Sequence, residues 1–498
     1  MRKVLLININ SDDTRNNSFP LGLAYLSAAL KDYDTEIFDL NFHSDDELFK
    51  KVSQTHYDVI GISCYTGVFS RASQLARTIK EIDVLCLVVI GGYHATAEYR
   101  YIIENHQEFD VAIIGRGEEP ITEIMKKVGD MDGLSHVPSI AYRTPKDKVI
   151  VNDCVQSSLF HNIVPDRSME YLYYNEEEKE RISCIATMRG CYHRCTFCSI
   201  SKNDSILIYD KNIIEKDIAN AVKNNANSLY FVNPDFLANQ SCLENTLNVL
   251  EKYPEIKTFK ISTRADSILK NFNTLERIFK RGCNSIEVGI ESFSDSQLKR
   301  FNKGVTAEKN VESYKVIMDL SKQFKFRYIH EIIPFDPWVT KKELKDTFDF
   351  YMNNDFDYLE IEPWLFTRLM LYPKTALRLK AEKEGIVNLG NSLETPEWKF
   401  VNSNVASIYS VLIKYKYLLL PKIISLRREI DVLLVNREVP FTKKSILFGI
   451  QDALSKFTIG FVDKLLLYET SQYEELLKKE RIIIDNISVK IRRMRNET

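Results

Sequence analysis

Twice along the 498 residues, short apolar runs alternate with amphipathic stretches, and few folds tolerate that rhythm. In the first series, between residue 3 and about 128, the runs are "KVLLINI", "TEIFDL", "DVIGISC", "CLVVIGG" and "DVAIIGRG". Between them lie helical segments such as "PLGLAYLSAAL" and "ASQLARTIKEI", and "SDDE" at 44–47 reads as a capping box that opens another helix. Apolar strands alternating with helices predict an α/β, doubly wound, Rossmann-like (flavodoxin-like) parallel sheet covered on both faces. Ligands of such sheets sit beyond the carboxyl ends of the strands. The loops "CYTG", "GGYHAT" and "GRGEEP" fall there, bringing Tyr65, Thr66, Gly91, Gly92, His94, Gly115, Gly117 and Glu118 to one crevice.

The second series begins at "ISCIATMRG" and runs through "SLYFVNPD", "KTFKISTRAD", "SIEVGIES", "FRYIHEIIP" and "YLEIEPWLF", with helix patterns such as "TLERIFKR" and "KKELKDTFDFYM" between. Six βα units in succession predict a partial (β/α)6 barrel with its chemistry at the carboxyl ends of the strands. The expected organisation is a first domain over 1–135, a polar linker over 136–180, a barrel over 181–392 and a helical region over 393–498, whose last residues "KIRRMRNET" read as a frayed end.

Charge narrows the function classes. Lys plus Arg number 67 against 69 Asp plus Glu, a net −2, which disfavours nucleic acid and points to a small-molecule or peptide substrate. "MRKVLLININ" turns polar too soon for a secretory signal, and "YSVLIKYKYLLLPKIISL" is cut by lysines and a proline, so no membrane span is expected and the protein is placed in the cytoplasm. There the nine cysteines are expected to be free thiols. Cys64, Cys86, Cys184 and Cys283 lie in or beside apolar runs and read as buried small hydrophobes.

Cys191, Cys195 and Cys198, in "RGCYHRCTFCSIS", ask for a different account. A structural zinc site wants four ligands, and no second cysteine pair is near. Iron and sulfur suit the count better, since a cubane with three thiolates leaves one iron for an outside ligand. "CYHRCTFC" resembles the CxxxCxxC signature of the radical S-adenosylmethionine (SAM) superfamily, with Phe197 at its aromatic position. That resemblance implies a 4Fe-4S cluster on the three cysteines, SAM chelated at the open iron, and a 5'-deoxyadenosyl radical made by one-electron reduction from a flavodoxin- or ferredoxin-type donor. It also places Gly289, Glu291 and Ser292 of "VGIES" near SAM. Arg264 of "STRAD" could meet a carboxylate, whether SAM's or one of the chain's own. Glu331 and Asp336 in the fifth-strand loop stay unassigned, because "IIPFDPWVT" departs from the family's usual ending.

The first-domain loops together resemble the cobalamin-binding domain that precedes the barrel in one large radical SAM subfamily. The resemblance implies cobalamin over Tyr65, Thr66, Gly91, Gly92, His94, Gly115, Gly117 and Glu118, with His94 either anchoring the nucleotide tail or packing in its loop. The DxHxxG motif of the family's other branch is absent; the loop after the first strand is "NSDDTRNNSFP", so base-off cobalamin is expected. The implied activity is methylation of an unactivated carbon. The alternatives are ring contraction, cyclisation or rearrangement without methyl transfer, a tRNA methylthiotransferase, and a corrinoid carrier or sensor with a vestigial cluster.

Overall fold

The computed structural model describes residues 1–9, 19–155, 162–173, 180–200, 205–354, 364–388, 396–436 and 439–496. Its first sheet has the order β2-β1-β3-β4-β5-β6-β7. The parallel strands are β1 (Lys3–Asn8), β2 (Asp34–Asp39), β3 (Val59–Ser63), β4 (Leu87–Gly91) and β5 (Val111–Ile113). Helices α1 (Leu21–Ala29), α2 (Asp45–Gln54), α3 (Phe69–Ile82), α4 (Tyr93–Asn105) and α5 (Glu118–Lys127) join and cover them. Two apolar clusters, one including Leu5, Ile60 and Val88 and the other Val4, Val59 and Val89, occupy opposite faces of the sheet, which is why these strands read as continuous apolar runs. The capping box at Ser44 and Glu47 forms at the start of α2.

The stretch expected to be a linker is partly structural. β6 (Ile140–Arg143) extends the first sheet antiparallel to β5, and β7 (Val149–Val151) pairs antiparallel to β6. Both are short and joined by a charged turn, so β5 supplies the edge on which this hairpin is laid. Beyond them Arg167, 4% exposed, ties this segment to the second domain. Its guanidinium donates to Asp217 Oδ1 at 2.6 Å, Glu170 Oε1 at 2.5 Å, Ser183 Oγ at 2.8 Å and the Cys184 carbonyl at 2.8 Å.

The second sheet is parallel, in the order β14-β13-β12-β11-β8. Its strands are β8 (Ile182–Ile185), β11 (Ser228–Phe231), β12 (Thr258–Arg264), β13 (Cys283–Glu291) and β14 (Arg327–Ile332). A small antiparallel ribbon, β9 (Met188–Arg189) with β10 (Leu207–Ile208), brackets the cysteine loop. Helices α6 (Lys211–Lys223), α7 (Gln240–Leu250), α8 (Ala265–Lys270), α9 (Phe272–Lys280), α10 (Asp295–Arg300), α11 (Ala307–Ser321) and α12 (Lys341–Met352) follow the strands. Of the sixth expected strand, 358–366, residues 358–363 lie outside the described residues, and Trp364–Phe366 forms a 3-10 turn.

The helical C-terminal region comprises Ser403–Leu418, Leu420–Val435, Phe441–Ser455, Phe457–Leu467 and Tyr473–Asn496. It packs on α12 and shares one apolar core with the barrel, and none of its residues lines the interdomain cavity described below. The expected frayed end is instead the last turns of a 24-residue helix, held by buried Ile484 and Ile491 one heptad apart. No described helix is long and apolar enough to cross a membrane.

Replacing Arg167 with Met would leave Asp217 and Glu170 buried without their cation. A loss of about 3–5 kcal/mol in urea unfolding is expected.

Candidate active site

The carboxyl ends of β3, β4 and β5 face the start of the barrel across a cavity of about 520 Å³. Gly91, Gly92, Gly115, Gly117 and Glu118 line it from the first domain, and Ala186, Met188, Arg189 and Gly190 line it from the second. Gly92 is required by geometry: its φ is +97°, and a Cβ there would stand 2.4 Å from the Cys64 carbonyl oxygen. The Gly115 N–H donates to Thr96 Oγ1 at 2.9 Å, which fixes that loop. Tyr65, Thr66 and His94 do not line the cavity. His94 is fully buried behind it, with Nδ1 3.3 Å from Thr66 Oγ1 and its ring 4.8 Å from Phe69. Small residues at the strand ends and a built cavity fit a corrinoid's nucleotide tail.

Two arginines bridge the domains at this cavity, and the first is Arg116, whose Nη2 donates to Ser205 Oγ at 3.2 Å. Arg189, two residues before Cys191, donates from Nη1 to Glu118 Oε1 at 2.5 Å. Its guanidinium lies 4.0 Å from the centroid of Tyr25, whose ring stacks on Tyr209 at 5.8 Å. The sequence contains "MRGC" but no sign of these partners, which come from three distant segments.

The cysteine loop is held from both sides. Thr196 N–H and Oγ1 donate to the carbonyls of Phe301 and Arg300 at 2.9 and 2.8 Å, and Asn302 Nδ2 donates to the Arg194 carbonyl at 2.7 Å. Opposite, His193 Nε2 stands 3.4 Å from Asp235 Oδ2, and Asp235 is fixed by Thr263 and Ser267, each at 2.7 Å. Phe197 packs edge-on against Phe301 at 5.3 Å. Cys195 is buried and Cys191 and Cys198 are partly exposed, and none of the three is in a disulfide. Burial pushes the Cys191 thiol above its ordinary value, so a metal would have to displace its proton. Among the described residues no three Cys, His, Asp or Glu side chains converge on a single-ion site. Three thiols on one loop suit a cubane by their chemistry, since it takes one thiolate per iron and leaves the fourth iron open.

Gly289 and Glu291 end β13 beside the loop. A register shift between them turns Glu291 to φ +64°, where its Oε1 meets Lys303 Nζ at 2.7 Å. Ser292 points elsewhere: its hydroxyl lies 3.1 Å from Thr347 Oγ1 and accepts the Ser294 N–H at 2.9 Å, fully buried. Asp336 is likewise structural, accepting from Arg300 and Gln297 at 2.8 Å each and from the Trp338 N–H at 2.8 Å. Arg264 finds a carboxylate of the chain's own, Asp266 at 2.9 Å.

The sheet face opposite the apolar core carries a polar chain. Ser262 Oγ donates to Glu287 Oε2 at 2.9 Å, Tyr230 Oη donates to the same oxygen at 3.3 Å, and Glu331 pairs in register with Gly289 on that face.

Two family models match the chain, the B12 binding domain over residues 8–125 and the radical SAM superfamily over 185–351, together more than half of it. The chain belongs to the cobalamin-dependent radical SAM enzymes. Its relatives include an uncharacterized methyltransferase of Pyrococcus horikoshii, 25% identical over 72% of this chain and 77% of that protein. An anaerobic magnesium-protoporphyrin IX monomethyl ester cyclase of Rubrivivax gelatinosus is 25% identical over 60% of this chain, which spans only 56% of the cyclase. Among solved structures, the cobalamin-dependent radical SAM enzyme OxsB, with aqua-cobalamin and SAM bound, superposes over 100% of this chain and 81% of its own with a TM-score of 0.79 at 16% identity. Within this family fold, the glycine-lined cavity and the cysteine loop lie side by side.

Burial first, then the Glu291 and Glu287 carboxylates, raise the Glu331 carboxyl from its ordinary 4.5 to about 7. The folded chain therefore holds this proton more tightly than the unfolded chain, and stability falls as pH rises through that window. Glu331→Gln is expected to abolish the slope, gaining up to about 3 kcal/mol at about pH 8 relative to about pH 4 in urea midpoints.

Proposed function

We propose that the protein methylates an unactivated carbon of a small-molecule or peptide substrate. Cys191, Cys195 and Cys198 hold the 4Fe-4S cluster in this reading, and Phe197, Gly289 and Glu291 flank SAM. Gly91, Gly92, Gly115, Gly117 and Glu118 hold the cobalamin tail, with Tyr65, Thr66 and His94 supporting those loops from behind. When bound, the cluster with SAM supplies a 5'-deoxyadenosyl radical and the corrinoid supplies the methyl group.

The observation that carries the reading is the shared wall of the cavity. Glu118 of the first domain and Arg189 of the cysteine loop are bonded to each other and both line it. Two reactive groups held around one cavity need no diffusion between steps, and that is the main contribution a protein scaffold makes to such chemistry. The lumen side chains Tyr230, Ser262, Glu287 and Glu331 offer a substrate hydroxyls and carboxylates. Base-off cobalamin follows from the missing DxHxxG histidine, since His94 is buried against Thr66 and Phe69. The reductant is a flavodoxin- or ferredoxin-type donor.

The cyclase among the relatives favours a second reading, ring formation or rearrangement without methyl transfer. Anaerobically reconstituted protein is expected to release 5'-deoxyadenosine from SAM, and Cys198→Ala to reduce this to background with an unchanged circular dichroism spectrum. Product mass decides between the readings, since only methylation adds a methylene unit.

A further inference from the structure

Arg264 ends β12 and is 5% exposed. Each of its three nitrogens is engaged. Nε donates to Asp266 Oδ1 at 2.9 Å, Nη1 donates to Cys195 Sγ at 3.6 Å, and Nη2 donates to the Lys303 carbonyl. Asp266 is itself paired with Lys270 at 3.1 Å, and Lys303 with Glu291 at 2.7 Å. The guanidinium plane is thereby fixed at both ends, with Nη1 aimed at sulfur. An arginine that received a ligand carboxylate in bidentate fashion would present two nitrogens to it, and here one is bound to main chain and another to Asp266.

A neutral thiol is a weak acceptor, whereas a thiolate draws a charged donor strongly. The Arg264 guanidinium lies beside Cys195, the most buried of the three cysteines, where little water competes for its N–H. Hydrogen bonds to cluster sulfurs also favour the reduced cluster, whose charge is more negative, and so raise its potential.

We propose that Arg264 is a positioning residue that acts through Cys195, donating Nη1–H to that one thiolate so as to hold it on its iron and raise the potential of the cluster. The proposal rests on the assignment of the three cysteines to a 4Fe-4S cluster.

The test uses the full chain, reconstituted anaerobically with iron and sulfide, reduced, and labelled with ¹⁵N only at the arginine guanidino nitrogens. Pulsed electron paramagnetic resonance of the wild-type cluster is expected to show a weak ¹⁵N coupling that Arg264→Lys removes and Arg194→Lys, on the same loop, retains. The midpoint potential is expected to fall in Arg264→Gln, with Arg264→Lys between it and the wild type. A cubane signal without guanidino coupling, a coupling lost in Arg194→Lys, or an unchanged potential in iron-replete Arg264→Gln overturns the proposal. The coupling is read on the wild type, so a variant that fails to fold does not remove the test. Absence of any cubane signal would overturn the assignment of the cysteines beneath it, whereas SAM cleavage without coupling would overturn this proposal alone.

Discussion

The bond between Arg189 and Glu118 is the constraint on which the rest of the molecule's arrangement turns. The two sheets belong to separate series of βα units, and their cores meet where Tyr25 of α1 joins that of the second domain. What sets their relative position at the cavity is a cation on the cysteine loop meeting a carboxylate at the first turn of α5, with Tyr25 and Tyr209 stacked on the cation's face. Glu118 is 5% exposed, so the pair is largely shielded from water and its geometry is demanding. Removing either partner would leave a charge stranded at the wall of the cavity. Arg167 performs a related duty at the other end of β8, tying the former linker to the strand.

Local features were legible wherever one short stretch contains the whole signal. The triple-cysteine loop, the capping box at Ser44, the helix at Lys341–Met352 and the small-residue ends of β4 and β5 all belong to that class. Gly92 was readable as a small residue at a strand end facing the crevice, whereas its close approach to the Cys64 carbonyl was not. Buried thiols at Cys64, Cys86, Cys184 and Cys283 followed from their apolar neighbours.

Features made by distant segments were not legible. β6 and β7, though built of strand-forming residues, are only four and three residues long, and which sheet they join is set by the edge of β5 that β6 meets. Ser292 lies in a recognisable motif, but whether its hydroxyl turns toward a ligand or toward Thr347 depends on where α12 packs. Lys303, before a glycine turn, gave no hint that its ammonium meets Glu291 and its carbonyl meets Arg264. The role of Arg264 was left open between two carboxylates, and the sulfur partner arises only because β12 ends beside the cysteine loop.

The bare α-carbon of Gly289 has a consequence for how this enzyme can vary. A methyl group there would lie 2.9 Å from both the Glu291 carboxylate and the Lys303 ammonium. It would act as a wedge between them, beside Glu291, whose left-handed backbone already carries strain of about 1–3 kcal/mol. Lys303 serves two neighbours at once, its ammonium meeting Glu291 and its carbonyl accepting from Arg264, which in turn donates to the sulfur of Cys195. A side chain at 289 would therefore be felt first as a re-aimed ammonium, one residue removed from the arginine that touches the cysteine loop.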